Sequence, residues 1–175
     1  MNYVGGFGPV QVEGVGIHTG QPCSVTIRST LNVAGDPWLG IRFLRDDVII
    51  SALAESVVDT TRCTRLESFG VSVATVEHLM SAFAGLGISC ADVHINGPEL
   101  PVLDGSADAW VKAILKAAPK RHIEDDDTVA KKRIGFTLRS KPIDEEIIVE
   151  GKHGSYIKAT PSDKLRITLS IIYDH

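Results

Sequence analysis

The stretch "TVEHLMSAFAGLGI", Thr75–Ile88, is where the period of the chain changes. Val76, Leu79, Met80, Phe83 and Leu86 recur at three- and four-residue steps, the spacing that lays apolar side chains along one face of a helix. Thr75 stands where a helix cap belongs, and Gly85 and Gly87 stand where the helix should end. Before this stretch the period is two. "CSVTIRS" (23–29) sets Val25 and Ile27 on one face and Ser24, Thr26 and Arg28 on the other, as a half-buried strand requires. Short strands broken by glycine turns, then an amphipathic helix, predict an α+β fold.

Working outward, "VQVEGVGIH" (10–18) alternates and then turns at Gly14 and Gly16, while "GIRFLRDD" (40–47) and "SALAESVVDTTRCT" (51–64) continue in β-leaning pieces. On the other side, "CADVHING" (90–97) reads as a strand stopped by Asn96-Gly97-Pro98. In "PVLDGSADAWVKAILKAA" (101–118), Asp104-Gly105 makes a turn, Ser106 suits an N-cap and Asp108 suits the positive end of a second helix, which Pro119 closes. The charged, apolar-poor "PKRHIEDDDTVAKK" (119–132) reads as a linker, with Glu124–Asp127 a solvated face rather than a cation site. Strand patterns resume in "RIGFTLRS", "EEIIVEG", "SYIKAT" and "LRITLSIIYDH" with no closing helix, so the second unit reads as incomplete. The expected domains are 1–120, a linker over 121–132, and opening strands of a second α+β domain over 133–175.

The chain has 175 residues, 43% apolar and 23% charged, the balance of a globular protein. No apolar run reaches the roughly 20 residues of a transmembrane helix. The start, "MNYVGGFGPV", lacks a basic n-region and long apolar core, which points to the cytoplasm. A net charge of −4 excludes a general electrostatic footprint for nucleic acid. Cys23, Cys63 and Cys90 are an odd count without C-x-x-C spacing, and read as small buried hydrophobes.

Glu77-His78 admits two readings. A carboxylate in the first turn of a helix is favoured by about 0.3–1 kcal/mol, and a histidine beside it can be a core residue with one hydrogen bond. Against that, the residues sharing the face of His78 at i+3, i+4 and i+7 are Ser81, Ala82 and Gly85, all small. Small residues leave room for a ligand, a metal or another backbone. With 3.6 residues per turn, Glu77 and His78 flank a common space. One could bind a metal while the other handles protons on water. The H-E-x-x-H pattern is absent because position 82 is alanine, so other ligands must come from distant sequence.

"GVGIHTG" (Gly14–Gly20), "TVEHLMSAFAGLGI" and "GPELPVLDGSA" (Gly97–Ala107) resemble, in order and spacing, the bacterial UDP-3-O-acyl-N-acetylglucosamine deacetylases, zinc enzymes of lipid A biosynthesis. "SYIKATPSDKLRITLSIIYDH" resembles the opening strands of that family's second domain. The resemblance implies two similar sheet-plus-helix units whose helical layers face each other around the active site, the second unit incomplete in this chain. It implies that His78 is a Zn2+ ligand and Glu77 the general base that activates water against the acetamide of a UDP-linked acylated glucosamine. It places His18, Thr61, Cys63 and Thr75 near the site, although loop shape accounts for His18 and turn-and-cap duty for Asp104 and Ser106. Arg62 stands where the family would lead one to expect an apolar residue.

Family members run longer and carry a histidine-lysine-x-x-aspartate type motif in the second half, which supplies the other two zinc ligands. His18, His94, His122, His153 and His175 do not match those positions. The expectation is the N-terminal portion of a deacetylase, inactive alone. The alternatives are a truncated paralogue that binds a nucleotide-sugar or protein partner without turnover, and one half of a split enzyme completed by a second polypeptide.

Overall fold

Alternation over the first strands gives a hairpin whose register sets the core. The computed structural model describes residues 7–30, 40–117 and 142–172. Strand β1 (Val10–Val15) pairs antiparallel with β2 (Pro22–Ser29), Val12 opposite Val25 and Val10 opposite Ile27. Val25 and Ile27 are fully buried, as their alternation requires. Strands β3 (Ile41–Arg45) and β4 (Val48–Ser51) form a second hairpin. Its two turn residues, Asp46 and Asp47, have φ of 50° and 62°, the pair of left-handed conformations of a type I′ turn.

A single 3-10 turn at Ala54–Ser56 leads into β5 (Val57–Asp59), β6 (Arg65–Ser68) and β7 (Val71–Ala74), a separate antiparallel sheet. Helix α1 (Glu77–Leu86), strand β8 (Ala91–Ile95) and helix α2 (Asp108–Ala117) follow. The main sheet has the order β1-β2-β8-β3-β4, with β8 antiparallel to β2 and parallel to β3.

The inward row of that sheet, including Val25, Ile27, Phe43, Val93 and Ile95, shares one core with Leu79 and Phe83 of α1 and Trp110 and Ile114 of α2. Trp110 and Phe83 are fully buried. Burial of this kind contributes about 1.5–3 kcal/mol for each large apolar side chain, which outweighs the weak propensities of short elements. The other face carries the cross-strand row Thr26, His94 and Leu44, polar or partly exposed. Arg45 Nη1 donates to the Ser72 carbonyl at 2.7 Å and ties the two sheets together.

The apolar stripe of α1 matches the period read from the sequence, but the ends of the helix differ from expectation. Gly87 terminates it in the left-handed conformation, φ 68°, while Gly85 lies inside the last turn. Thr75 is not the cap: Val76 holds that position in helical geometry and no side chain caps the helix. The Thr75 hydroxyl is committed elsewhere. At α2, the Ser106 hydroxyl accepts from Asp108 N–H at 3.1 Å, and Asp104 Oδ1 accepts from Ser106 N–H at 3.0 Å, the turn-and-cap pair expected. All three cysteines are free and buried.

The chain divides into two compact units, 1–138 and 139–175. In the second, β9 (Ile147–Glu150) pairs antiparallel with β10 (Tyr156–Ala159), Ile148 opposite Lys158. The strand expected from Leu165 onward does not form over the described residues 165–172, where Leu165, Ile167, Leu169 and Ile172 are exposed. A strand exists through its ladder of inter-strand hydrogen bonds, and this segment pairs with no neighbour among the described residues. The expected linker at 121–132, Glu124–Asp127 within it, the strand at 133–140, Pro119 and His175 lie outside the described residues. No helix among the described residues is long and apolar enough to cross a membrane.

Candidate functional site

Strand β7 delivers the chain to the start of α1 beside the segment Pro98–Leu100. Ala74 N–H donates to the Pro98 carbonyl at 2.9 Å and Leu100 N–H donates to the Ala74 carbonyl at 3.1 Å, a parallel bridge centred on Ala74 and Glu99. The bridge sets Glu99 beside Thr75, whose Oγ1 donates to Glu99 Oε1 at 2.9 Å. Thr75 has φ 60°, a left-handed conformation that a β-branched residue adopts at a cost of about 1–3 kcal/mol. The hydrogen bond to Glu99 and the burial of Thr75 hold it there.

The same carboxylate receives the turn after β1. His18 N–H donates to Oε1 at 3.0 Å and to Oε2 at 3.2 Å, and Thr19 N–H donates to Oε2 at 2.8 Å. Glycine at position 16 makes room for the carboxylate, because a Cβ there would collide with Glu99 Oε2 and come within 2.6 Å of Thr19 Oγ1. At 1% exposure, Glu99 is a buried carboxylate, and burial alone would push its pKa up. The donors from His18, Thr19 and Thr75 outweigh burial and hold it below the ordinary glutamate value. The anionic form of Glu99 is therefore favoured although the side chain is buried.

Glu77 and His78 occupy the first turn of α1 and are half-buried. Thr64 N–H donates to Glu77 Oε2 at 2.9 Å, and Val76 N–H donates to the Thr64 carbonyl at 3.4 Å. These two bonds pin the end of the 59–64 loop to the helix start and orient the Glu77 carboxylate. Of the small residues on the face of His78, Ser81 and Gly85 are exposed, and a Cβ at Gly85 would meet nothing within 4 Å. Ala82 is buried and belongs to the core. On this face of the helix the open surface beside His78 carries Ser81 and Gly85.

The sequence-based candidates fall into two groups. His18 and Thr75 meet at one carboxylate. Glu77 is held by Thr64, next to the buried Cys63. Thr61 is exposed, with its N–H bonded only as far as Asp59 Oδ1, 2.9 Å away, and Arg62 is exposed at φ 61°. A concavity of about 520 Å³ lies on the outer face of the main sheet, lined by Thr26, His94 and Asp47 among others. None of the candidates lines it, and its open shape is that of an uncovered sheet surface.

Glu99 escaped the reading of the sequence. The signal was present in "GPELPVL" (97–103): a lone carboxylate in an apolar, proline-bounded run is either exposed by a turn or buried with partners.

Imidazole and carboxylate are suitable donors for zinc, and a catalytic zinc takes three protein ligands. Among the described residues no three histidine, cysteine, aspartate or glutamate side chains are arranged to hold a metal ion. The described part of this chain does not form such a site by itself.

The family model described as UDP-3-O-acyl N-acetylglycosamine deacetylase matches residues 8–175. The chain is 38% identical over 177 residues to the UDP-3-O-acyl-N-acetylglucosamine deacetylase of Chromohalobacter salexigens, covering 95% of this chain and 50% of that protein. The enzyme of the same name from Legionella pneumophila is 37% identical over 171 residues, again with 95% and 50% covered. That of Myxococcus xanthus is 38% identical over 168 residues, with 94% and 48% covered. The chain thus spans about half the length of the curated relatives it matches. Because the family match runs through nearly the whole sequence and takes in the glycine turn, the helix start and the Glu99 segment alike, the chain belongs to the UDP-3-O-acyl N-acetylglycosamine deacetylase family.

Proposed function

We propose that this chain is the N-terminal portion of a zinc-dependent deacetylase that removes acetate from UDP-3-O-acyl-N-acetylglucosamine in lipid A biosynthesis, acting in the cytoplasm. The observation that carries the reading is the start of α1. There a glutamate oriented by a backbone N–H stands next to a histidine beside open surface, in a chain of this family.

Glu77 is the general base. Its carboxylate takes a proton from the attacking water and passes it to the departing amine nitrogen, so that acetate and the free amine of the glucosamine are the products. The Thr64 N–H orients the carboxylate. His78 supplies one metal ligand, and the rest come from the half of the relatives' length that this chain does not span, whether on the same polypeptide or a second one. Bound zinc supplies a lowered water pKa and a polarised carbonyl. His18, Thr61, Cys63 and Thr75 are the residues proposed to lie near the substrate. The domain limits proposed are 1–120 and 133–175 about a linker at 121–132, the first a sheet with helices on one side and the second the opening strands of a like domain.

The test is acetate release from UDP-3-O-acyl-N-acetylglucosamine by residues 1–175 joined to the C-terminal half of the Chromohalobacter salexigens relative. Release that a zinc chelator abolishes and zinc restores is the expected result. Release indifferent to chelation contradicts the metal assignment.

A further inference from the structure

We infer that Glu99 is a positioning residue: its carboxylate locks the His18–Thr19 turn to Thr75 and thereby fixes Glu77 and His78 relative to His18. The inference deepens the deacetylase reading of that site and rests on it for its functional meaning.

The argument begins with connectivity. His18 lies 81 residues from Glu99, and Thr75 lies 24 residues away, yet both donate to the same carboxylate. Among the described residues, no other side-chain hydrogen bond joins the turn to the helix start. The backbone on each side of Glu99 is bonded to Ala74, so the carboxylate cannot drift along the β7 end. The turn is equally constrained. Gly16 N–H donates to Gln21 carbonyl at 3.0 Å, Gly20 N–H donates to Gly16 carbonyl at 3.0 Å, and the missing Cβ of Gly16 makes the space that Glu99 Oε2 fills.

Chemistry then selects an anion. Two backbone N–H groups and the Thr19 and Thr75 hydroxyls converge on the carboxylate, and charge-assisted bonds of this type are shorter and stronger than neutral ones. An amide in place of the carboxylate keeps the volume but offers N–H donors to one set of donors. The strained φ of Thr75 supplies the link to function. It directs the chain from β7 into the helix two residues before Glu77, and the Glu99 bond is the side-chain contact that holds it. Among the described residues Glu99 is hydrogen-bonded to neither Glu77 nor His78, so its effect on them is indirect.

The experiment uses the 175-residue chain and amide hydrogen exchange with proton–nitrogen NMR. In Glu99→Gln, the His18 and Thr19 amides should exchange about tenfold or more faster, the size set by a lost charge-assisted bond. The Glu77 and His78 amide resonances should shift as well, while those of Val25 and Val93 stay in place. Thr75→Val cuts one link and keeps the carboxylate. It should shift the His18 and Thr19 amides, which Thr75 does not touch, and add little in the Glu99→Gln background, the signature of coupling through one group. If Thr75→Val leaves His18 and Thr19 unmoved, or Glu99→Gln leaves Glu77 and His78 unmoved in a folded chain, the inference is overturned. Zinc added to residues 1–175 joined to the C-terminal half of the Chromohalobacter salexigens relative separates the two claims. Failure of zinc to move the His78 ring resonances counts against the metal reading alone and leaves the coupling between Thr75 and His18 standing.

Discussion

Thr75 Oγ1 lies 2.9 Å from Glu99 Oε1, and that bond joins a strained strand end to a buried anion. Because the folded state depresses the Glu99 pKa, the anion contributes stability that is present above the ordinary glutamate value of 4.5 and is lost as pH falls through the lower folded value. Urea denaturation at neutral pH should show Glu99→Gln less stable by about 1–3 kcal/mol, the cost of buried donors left poorly paired. Below pH 4.5 the gap to wild type should close, since protonation removes the same anion. Asp59 and Asp104 also titrate low through bonds from Thr61 and Ser106, but they contribute equally to both proteins. A gap that stays constant down to pH 2 would refute the assignment.

Two glycines respond oppositely to the same substitution. Gly16→Ala drives a Cβ into Glu99 Oε2 and Thr19 Oγ1, and should cost about 1–3 kcal/mol as an overpacked site. Gly85→Ala meets nothing within 4 Å and sits in the last turn of α1, so it should stabilise by about 0.5–1 kcal/mol. Thermal melts of the two variants check the contrast, which fails if both move the same way.

Trp110 is fully buried in α2, and its Nε1–H has no hydrogen-bond partner among the described residues. Trp110→Ala should cost about 3–5 kcal/mol through the cavity it leaves. Trp110→Phe should cost clearly less, because no hydrogen bond is lost and an unpartnered polar group is removed. Equal losses in denaturant midpoint would show that the indole nitrogen has a partner in solution.

The parts of this fold that bury a regular stripe were legible in the sequence. Val25 and Ile27 alternate into the core, and Leu79 and Phe83 repeat with the helix, because burial of each sets the period directly. Ser106 and Asp104 were legible for a different reason, since their bonds span two residues. Thr75 was misread because a cap and a left-handed strand end share a residue type, and only the partner 24 residues away decides between them. Glu99 was missed on the same ground: nothing local says that a turn 81 residues distant donates to it. The segment from Leu165 has a strand's pattern and no partner strand among the described residues, which pattern alone does not reveal. Of the candidate site, the Glu77-His78 pair could be proposed from the sequence, whereas the Thr64 and Glu99 bonds around it could not.

The central claim is that Glu77 moves the proton. The most direct measurement is kcat for acetate release with zinc present, comparing wild type with Glu77→Gln in residues 1–175 joined to the C-terminal half of the Chromohalobacter salexigens relative. Loss of a general base lowers kcat about 10²–10⁴-fold, with KM little changed and zinc content retained. Turnover by Glu77→Gln at the wild-type rate would contradict it.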